Sequence, residues 1–153
     1  MKKASLLDDY LRRYAAGPPW TLSAGSSKEA DQAVVIPAYA EKNSLFETLA
    51  RLAENDEASL ERTLVICVVN NKSGAPPQDR ENNLQTLERL RGLVERKPLC
   101  IAQDAEQMRV SMEKIADSSL RLGLIDACSP GREIPERDGG VGMARKIGMD
   151  AAL

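Results

Sequence analysis

The chain reads as an α/β domain, a mainly parallel sheet with helices on both faces, on three observations. Val34-Val35-Ile36-Pro37-Ala38-Tyr39-Ala40-Glu41 is a short β-branched run that stops in polar residues. About thirty residues later Thr63-Leu64-Val65-Ile66-Cys67-Val68-Val69-Asn70-Asn71 repeats the pattern. Runs of this kind mark parallel strands buried on both faces. Between them lies an amphipathic helix from Ser44 to about Asn55, which Ser44-Leu45-Phe46-Glu47 opens as a capping box. Ligands of open α/β sheets sit beyond the carboxyl ends of the strands, so Tyr39, Glu41, Asn70 and Asn71 should face the crevice.

The remaining elements follow in order. Leu6, Leu7, Tyr10, Leu11 and Tyr14 recur at helical spacing, and Gly17-Pro18-Pro19 ends that helix. Trp20 to Asp31 is a Gly/Ser-rich linker, so residues 1–31 form a helix with its linker and residues 32–153 the α/β domain. After the second strand, Lys72 to Asp79 is a polar loop with Gly74 and Pro76-Pro77, and Arg80 to Arg96 is a helix with Leu84, Leu87, Leu90 and Val94 on one face. Leu99-Cys100-Ile101-Ala102 is expected as an edge strand. Asp104 to Asp117 reads as a helix with Ala105, Met108, Met112 and Ile115 inward, and Leu120 to Ile125 as a third strand ending at Asp126. The charged loop from Ala127 to Asp138 is long enough to suggest function. Gly139-Gly140 opens a last helix.

Composition excludes several classes. With 153 residues the chain is one domain by size, and 21 basic against 23 acidic residues give a net charge of −2. Nucleic acid is not an expected partner, because such proteins cluster Lys and Arg and use aromatic platforms, whereas aromatics are 3% here. No run is long enough to span a bilayer. The start, Met1-Lys2-Lys3-Ala4-Ser5-Leu6-Leu7-Asp8-Asp9, meets two carboxylates before any apolar stretch and does not read as a secretion signal. Cys67, Cys100 and Cys128 have no metal-ligand spacing and read as reduced, mostly buried thiols of a cytoplasmic protein. With no histidine, acid or base chemistry would fall to carboxylates, Lys or Tyr.

Three segments carry a family resemblance. Val34 to Glu41 resembles the opening of the family-two nucleotide-sugar glycosyltransferases, Val-Ile-Pro-Xaa-Tyr-Asn-Glu. Val69-Asn70-Asn71-Lys72-Ser73 stands where that family reads Val-Asp-Asp-Gly-Ser. Gly140-Val141-Gly142-Met143-Ala144-Arg145-Lys146-Ile147-Gly148 is similar to its Gly-Xaa-Ala-Arg-Asn-Xaa-Gly segment. Order and rough spacing agree from Ala33 to Leu153, with Ala40, the Asn pair and Lys146 as departures. The resemblance implies a Rossmann-like sheet of GT-A type and the transfer of sugar from a nucleoside-diphosphate sugar to a saccharide or lipid acceptor.

It also implies nucleotide contacts at Pro37, Tyr39, Glu41, Asn70, Asn71 and Arg145. The Tyr39 ring would stack on the base, for which uracil is favoured; its competing role is to cover the sheet edge. Glu41 would hold the nucleoside or simply shape the turn. Asn70 and Asn71 replace carboxylates that accept the uracil N3–H. An Asn carbonyl can still accept it, while the amide also offers donors to other bases, and an Asn pair also shapes turns. Gly139, Gly140 and Gly142 ahead of Arg145 and Lys146 form an anion site in principle, with tight packing as the rival explanation. The pattern is neither a Walker A loop nor the dinucleotide fingerprint. Gly140, Arg132 and Arg137 are further candidates for phosphate, and Asp126 reads better as a turn cap than as a ligand.

Catalytic residues cannot be named. The family's metal-binding Asp-Xaa-Asp is absent from the sequence, so the chain is expected to be the front, donor-binding part of such an enzyme, incomplete at its C-terminal end. A divalent manganese or magnesium ion is expected only for a longer enzyme, and no cofactor within this chain. The alternative is a non-catalytic α/β binding module or a self-associating interaction module, with a homo-oligomer among the expected assemblies.

Overall fold

The structure, a computed structural model, describes residues 5–26 and 28–153. Residues 1–4, on which the reading of the chain start turns, lie outside the described residues. The order of elements is α1 (Leu6–Tyr14), β1 (Leu22–Ala24), β2 (Gln32–Ala38), α2 (Lys42–Leu52), α3 (Glu57–Arg62), β3 (Thr63–Asn70), α4 (Pro77–Val94), α5 (Glu106–Ala116), β4 (Arg121–Ala127), a 3₁₀ turn (Glu136–Asp138) and α6 (Val141–Ala152).

β2, β3 and β4 are adjacent and parallel, as the sequence predicts, with Ile36 beside Cys67 and Cys67 beside Leu124. Successive residues of β3 serve opposite faces. Val65, Cys67 and Val69 join Leu45, Phe46 and Leu49 of α2, Leu87 and Leu90 of α4, and Met112 of α5. Ile66 and Val68 face Ala144 and Ile147 of α6 and Ile134 of the long loop. Phe46 and Leu49 are fully buried, worth about 1.5–3 kcal/mol each on transfer arguments. Two of the cysteines, Cys67 and Cys128, are buried, and burial pushes both thiols up to about 12; Cys100 is exposed.

The sheet is open and mixed, in the order β1-β4-β3-β2, which corrects the mainly parallel expectation. Within the supposed linker, β1 pairs antiparallel with β4, Leu22 beside Ile125. Its three residues carry too little periodicity to be seen in sequence. Gly123 makes the pairing possible, since a Cβ there would lie 2.8 Å from Leu22 Cδ1. Leu99–Ala102 is not a strand: the edge beside β4 is taken by β1, and Asp104 N–H closes a turn on the Ile101 carbonyl at 3.0 Å.

The capping box at Ser44 is also corrected. α2 starts earlier, at Lys42, and has no local side-chain cap. Its entry is held from α4, where Asn83 Oδ1 accepts the Ala40 N–H at 2.8 Å and Asn82 Oδ1 accepts that of Lys42 at 3.2 Å. Ser44 and Glu47 do other things: the Ser44 carbonyl accepts the Thr48 hydroxyl, and Glu47 pairs with Arg51. α4 likewise begins a turn before Arg80, with Pro77 at its first position, where a missing N–H costs nothing.

α6 lies close against the sheet because of Gly148. A Cβ at that position would sit 2.4 Å from Val35 Cγ1 and 2.9 Å from Val68 Cγ2. Among the described residues, no helix is long and apolar enough to cross a membrane.

Candidate nucleotide pocket

The carboxyl ends of β2 and β3 and the start of α6 border one cavity of about 540 Å³. Its walls include Pro37, Tyr39, Glu41, Asn70 and Gly140, five of the residues singled out in the sequence. Lys72, Gly74, Ala75, Pro76, Glu136 and Val141 complete it. The location is the one topology favours for ligands of α/β sheets.

The floor is held by Asn83, which is 1% exposed. Its amide nitrogen donates to the Asn70 carbonyl at 3.0 Å and to Asn71 Oδ1 at 3.1 Å, while its Oδ1 accepts from Ala40. Ala40 has φ 52°, a left-handed turn unusual outside glycine, so Asn83 fixes the bend that swings Tyr39 and Glu41 over the cavity. Tyr39 is held at its other end. Its hydroxyl donates to Asp79 Oδ2 at 2.6 Å, and that hydrogen bond, with some burial, raises the phenol above its ordinary value.

Asn70 and Asn71 part company. Asn70 lines the cavity, and its amide nitrogen donates to the carbonyls of Ala38 at 3.1 Å and Val68 at 3.2 Å. Two acceptors on one side fix which way the amide faces, and its Oδ1 meets no donor among the described residues. A carboxylate at position 70 would set negative oxygens against two carbonyls, so the amide is the group this position suits. Asn71 is 1% exposed and faces inward, its Nδ2 donating to the Lys72 carbonyl. It does not reach the cavity.

The long loop after β4 is anchored. Ile134 N–H donates to the Asn71 carbonyl at 3.0 Å, Ser73 N–H to the Ile134 carbonyl at 3.3 Å, and Glu136 reaches Gly74 N–H at 3.4 Å. Lys72 runs between this loop and α6, its Nζ 3.9 Å from Glu136 Oε1. Gly139 gives it room, since a Cβ there would fall 2.3 Å from Lys72 Cε. Gly140, with φ 135°, precedes the first turn of α6, which has no side-chain cap. The positive end of the helix and the Lys72 ammonium thus meet at one rim of the cavity.

The three arginines expected at the nucleotide or its phosphates do not line this cavity, whereas Gly140 does. Arg145 is exposed on α6 and does not line this cavity. Arg132 borders a different cavity with Arg91 and Asp126, and its carbonyl accepts the Trp20 indole N–H at 2.8 Å. Arg137 pairs with its neighbour Asp138 at 3.3 Å. Helical spacing gave Arg145 no reason to point either way, whereas Lys72 follows directly on a strand end and had that signal.

Asp126 is a turn cap. Its Oδ1 accepts the backbone N–H of Ser129 at 2.9 Å and of Cys128 at 3.2 Å, and Arg91 meets Oδ2 at 3.0 Å. Burial alone would raise its pKa, but these donors outweigh it and hold the carboxyl below its ordinary 3.8. No group of three or more Cys, Asp or Glu is placed to hold a metal among the described residues.

Compared with protein-family models, curated proteins and solved structures, the chain matched none.

Proposed function

We propose that the cavity binds a nucleoside diphosphate, the donor portion of a nucleotide sugar, and that the chain is the donor-binding part of a glycosyltransferase of the resembled family. The observation that carries this reading is the meeting of Tyr39, Asn70 and Gly140, from three separate segments, around one cavity. The Tyr39 ring offers a stacking wall. Asn70 Oδ1 offers the acceptor that an imide N–H requires. The start of α6 and Lys72 favour a diphosphate at their rim, with the Glu136 carboxylate beside Lys72 opposing it.

The orientation of Asn70 sets base preference. Uracil carries a hydrogen on N3 and cytosine does not, so an acceptor facing the base favours uridine over cytidine diphosphate. A non-catalytic binding module is the second reading, favoured by the inward turn of Asn71 and its use in holding the floor.

The test is a titration of the chain with uridine and cytidine diphosphates, followed by backbone amide signals. Uridine diphosphate should shift Tyr39, Asn70, Gly140 and Val141 together and bind the tighter of the two. Tyr39→Ala should weaken it by about 1–3 kcal/mol, the range for loss of one aromatic platform. Unmoved signals at millimolar nucleotide would remove the reading.

A further inference from the structure

Glu136 lines the cavity without belonging to the core. The 3₁₀ turn it opens has no buried residue, and its side chain is 64% exposed. Its two oxygens are nevertheless divided between two donors. Oε2 accepts the Gly74 N–H at 3.4 Å, and Oε1 lies 3.9 Å from Lys72 Nζ. Among the described residues the Gly74 N–H meets no backbone acceptor, so this carboxylate is its one partner. Glycine suits the position, since a Cβ there would lie 3.2 Å from Glu136 Oε2 and crowd whatever oxygen approaches.

The donors are fixed and the acceptor is not. Ala75 N–H closes a turn around Gly74 on the Lys72 carbonyl at 3.1 Å, and Ser73 N–H is tied to Ile134 at 3.3 Å. From α4, Arg80 donates to the Ala75 carbonyl at 2.9 Å and to that of Ser73. The Lys72 stem lies against Gly139. The Glu136 carboxylate, by contrast, hangs on a flexible side chain by two long contacts in a solvated place. An exposed pair of this kind adds little stability, so the carboxylate leaves at small cost.

We infer that the Glu136 carboxylate stands where a phosphate oxygen of the ligand goes, so that Gly74 N–H and Lys72 are the phosphate contacts and Glu136 turns away for them to form. This deepens the nucleotide reading and rests on it only for the rest of the ligand. Two anions cannot share these donors, since like charges about 4 Å apart repel one another even in water. A phosphoryl group wins the exchange, because it brings about −1.5 to −2 charge and three acceptor oxygens against a single charge and two oxygens. A ligand without phosphate leaves Glu136 where it is. The residue thus makes the cavity select by charge.

The test is a titration of the whole 153-residue chain with uridine diphosphate, uridine and inorganic pyrophosphate, followed at the Gly74 amide signal, for wild type and Glu136→Gln. Glu136→Gln should bind uridine diphosphate and pyrophosphate about tenfold tighter, with uridine unchanged. Asp138→Asn removes an equal charge from the same turn without touching Lys72 or Gly74, and should change affinity by less than about twofold. Equal affinity of wild type and Glu136→Gln for uridine diphosphate would overturn the inference and leave the nucleotide reading standing. A gain from Asp138→Asn as large as that from Glu136→Gln would overturn it too, as would a Gly74 signal that neither anion moves. Pyrophosphate binding that Glu136→Gln tightens, with uridine diphosphate no better than pyrophosphate, would uphold the inference while removing the nucleotide reading.

Discussion

The carboxyl ends of β3 and β4 both finish in buried polar side chains, and they put them to opposite uses. At the end of β4, each oxygen of Asp126 meets a donor, from the backbone of Cys128 and Ser129 or from Arg91, and the group closes a turn. At the end of β3, Asn71 is closed in the same manner, but Asn70 uses only its nitrogen and leaves an oxygen at a cavity. A buried polar group with every partner in place stabilises; one with a partner missing costs energy that a ligand can recover. The comparison separates structure from site within one sheet edge.

Asn83 is where that contrast is most easily broken. Asn83→Ala removes the partners of Ala40 N–H, the Asn70 carbonyl and Asn71 Oδ1 at once. With about 1–3 kcal/mol for each buried group left unpaired, a loss of about 3 kcal/mol or more is expected in urea unfolding, together with loss of nucleotide binding. A variant within about 1 kcal/mol of wild type would mean that water replaces the clamp.

Asp126→Asn should come next, at about 1.5–3 kcal/mol at neutral pH, with nucleotide affinity unchanged because the group lies at the closed strand end. Its sign with pH is fixed. The folded carboxyl titrates below the ordinary 3.8, so its contribution is complete above that value and disappears as pH falls through the folded pKa. Urea midpoints of wild type and variant should therefore converge in acid. A gap that persists below the folded pKa would assign the effect to shape rather than charge.

Arg145→Ala should do least, within about 0.5 kcal/mol in stability, and should not alter affinity for uridine diphosphate. A tenfold loss of affinity would show that its side chain swings to the rim when nucleotide binds.

The three parallel strands were legible because Ala33 to Ile36, Thr63 to Val69 and Leu120 to Ile125 are each mostly apolar over four or more residues. β1 was not, being three residues whose pairing depends on the absence of a side chain at Gly123 on another strand. The helix starts failed for a related reason. α2 is capped by Asn82 and Asn83 from forty or more residues away, and Ser44 with Glu47 offered a local alternative that the fold does not use. Position at a strand end placed Tyr39 and Asn70 at the cavity, but it did not separate Asn70 from Asn71, whose side chain turns inward. Arginines on a helix or loop had several directions to face, and Arg132, Arg137 and Arg145 do not line the cavity.

Gly148 gives the cavity a remote control. The helix that begins at the rim with Val141 rests near its far end on Val35 and Val68, with no atom to spare between them. A helix is stiff over this length, so it behaves as a lever with its fulcrum at Gly148. Any side chain placed there would lift the beam from the sheet, and the displacement would be felt at Gly140, where no contact with position 148 exists. The width of the pocket mouth is thereby written into a residue that no ligand would touch.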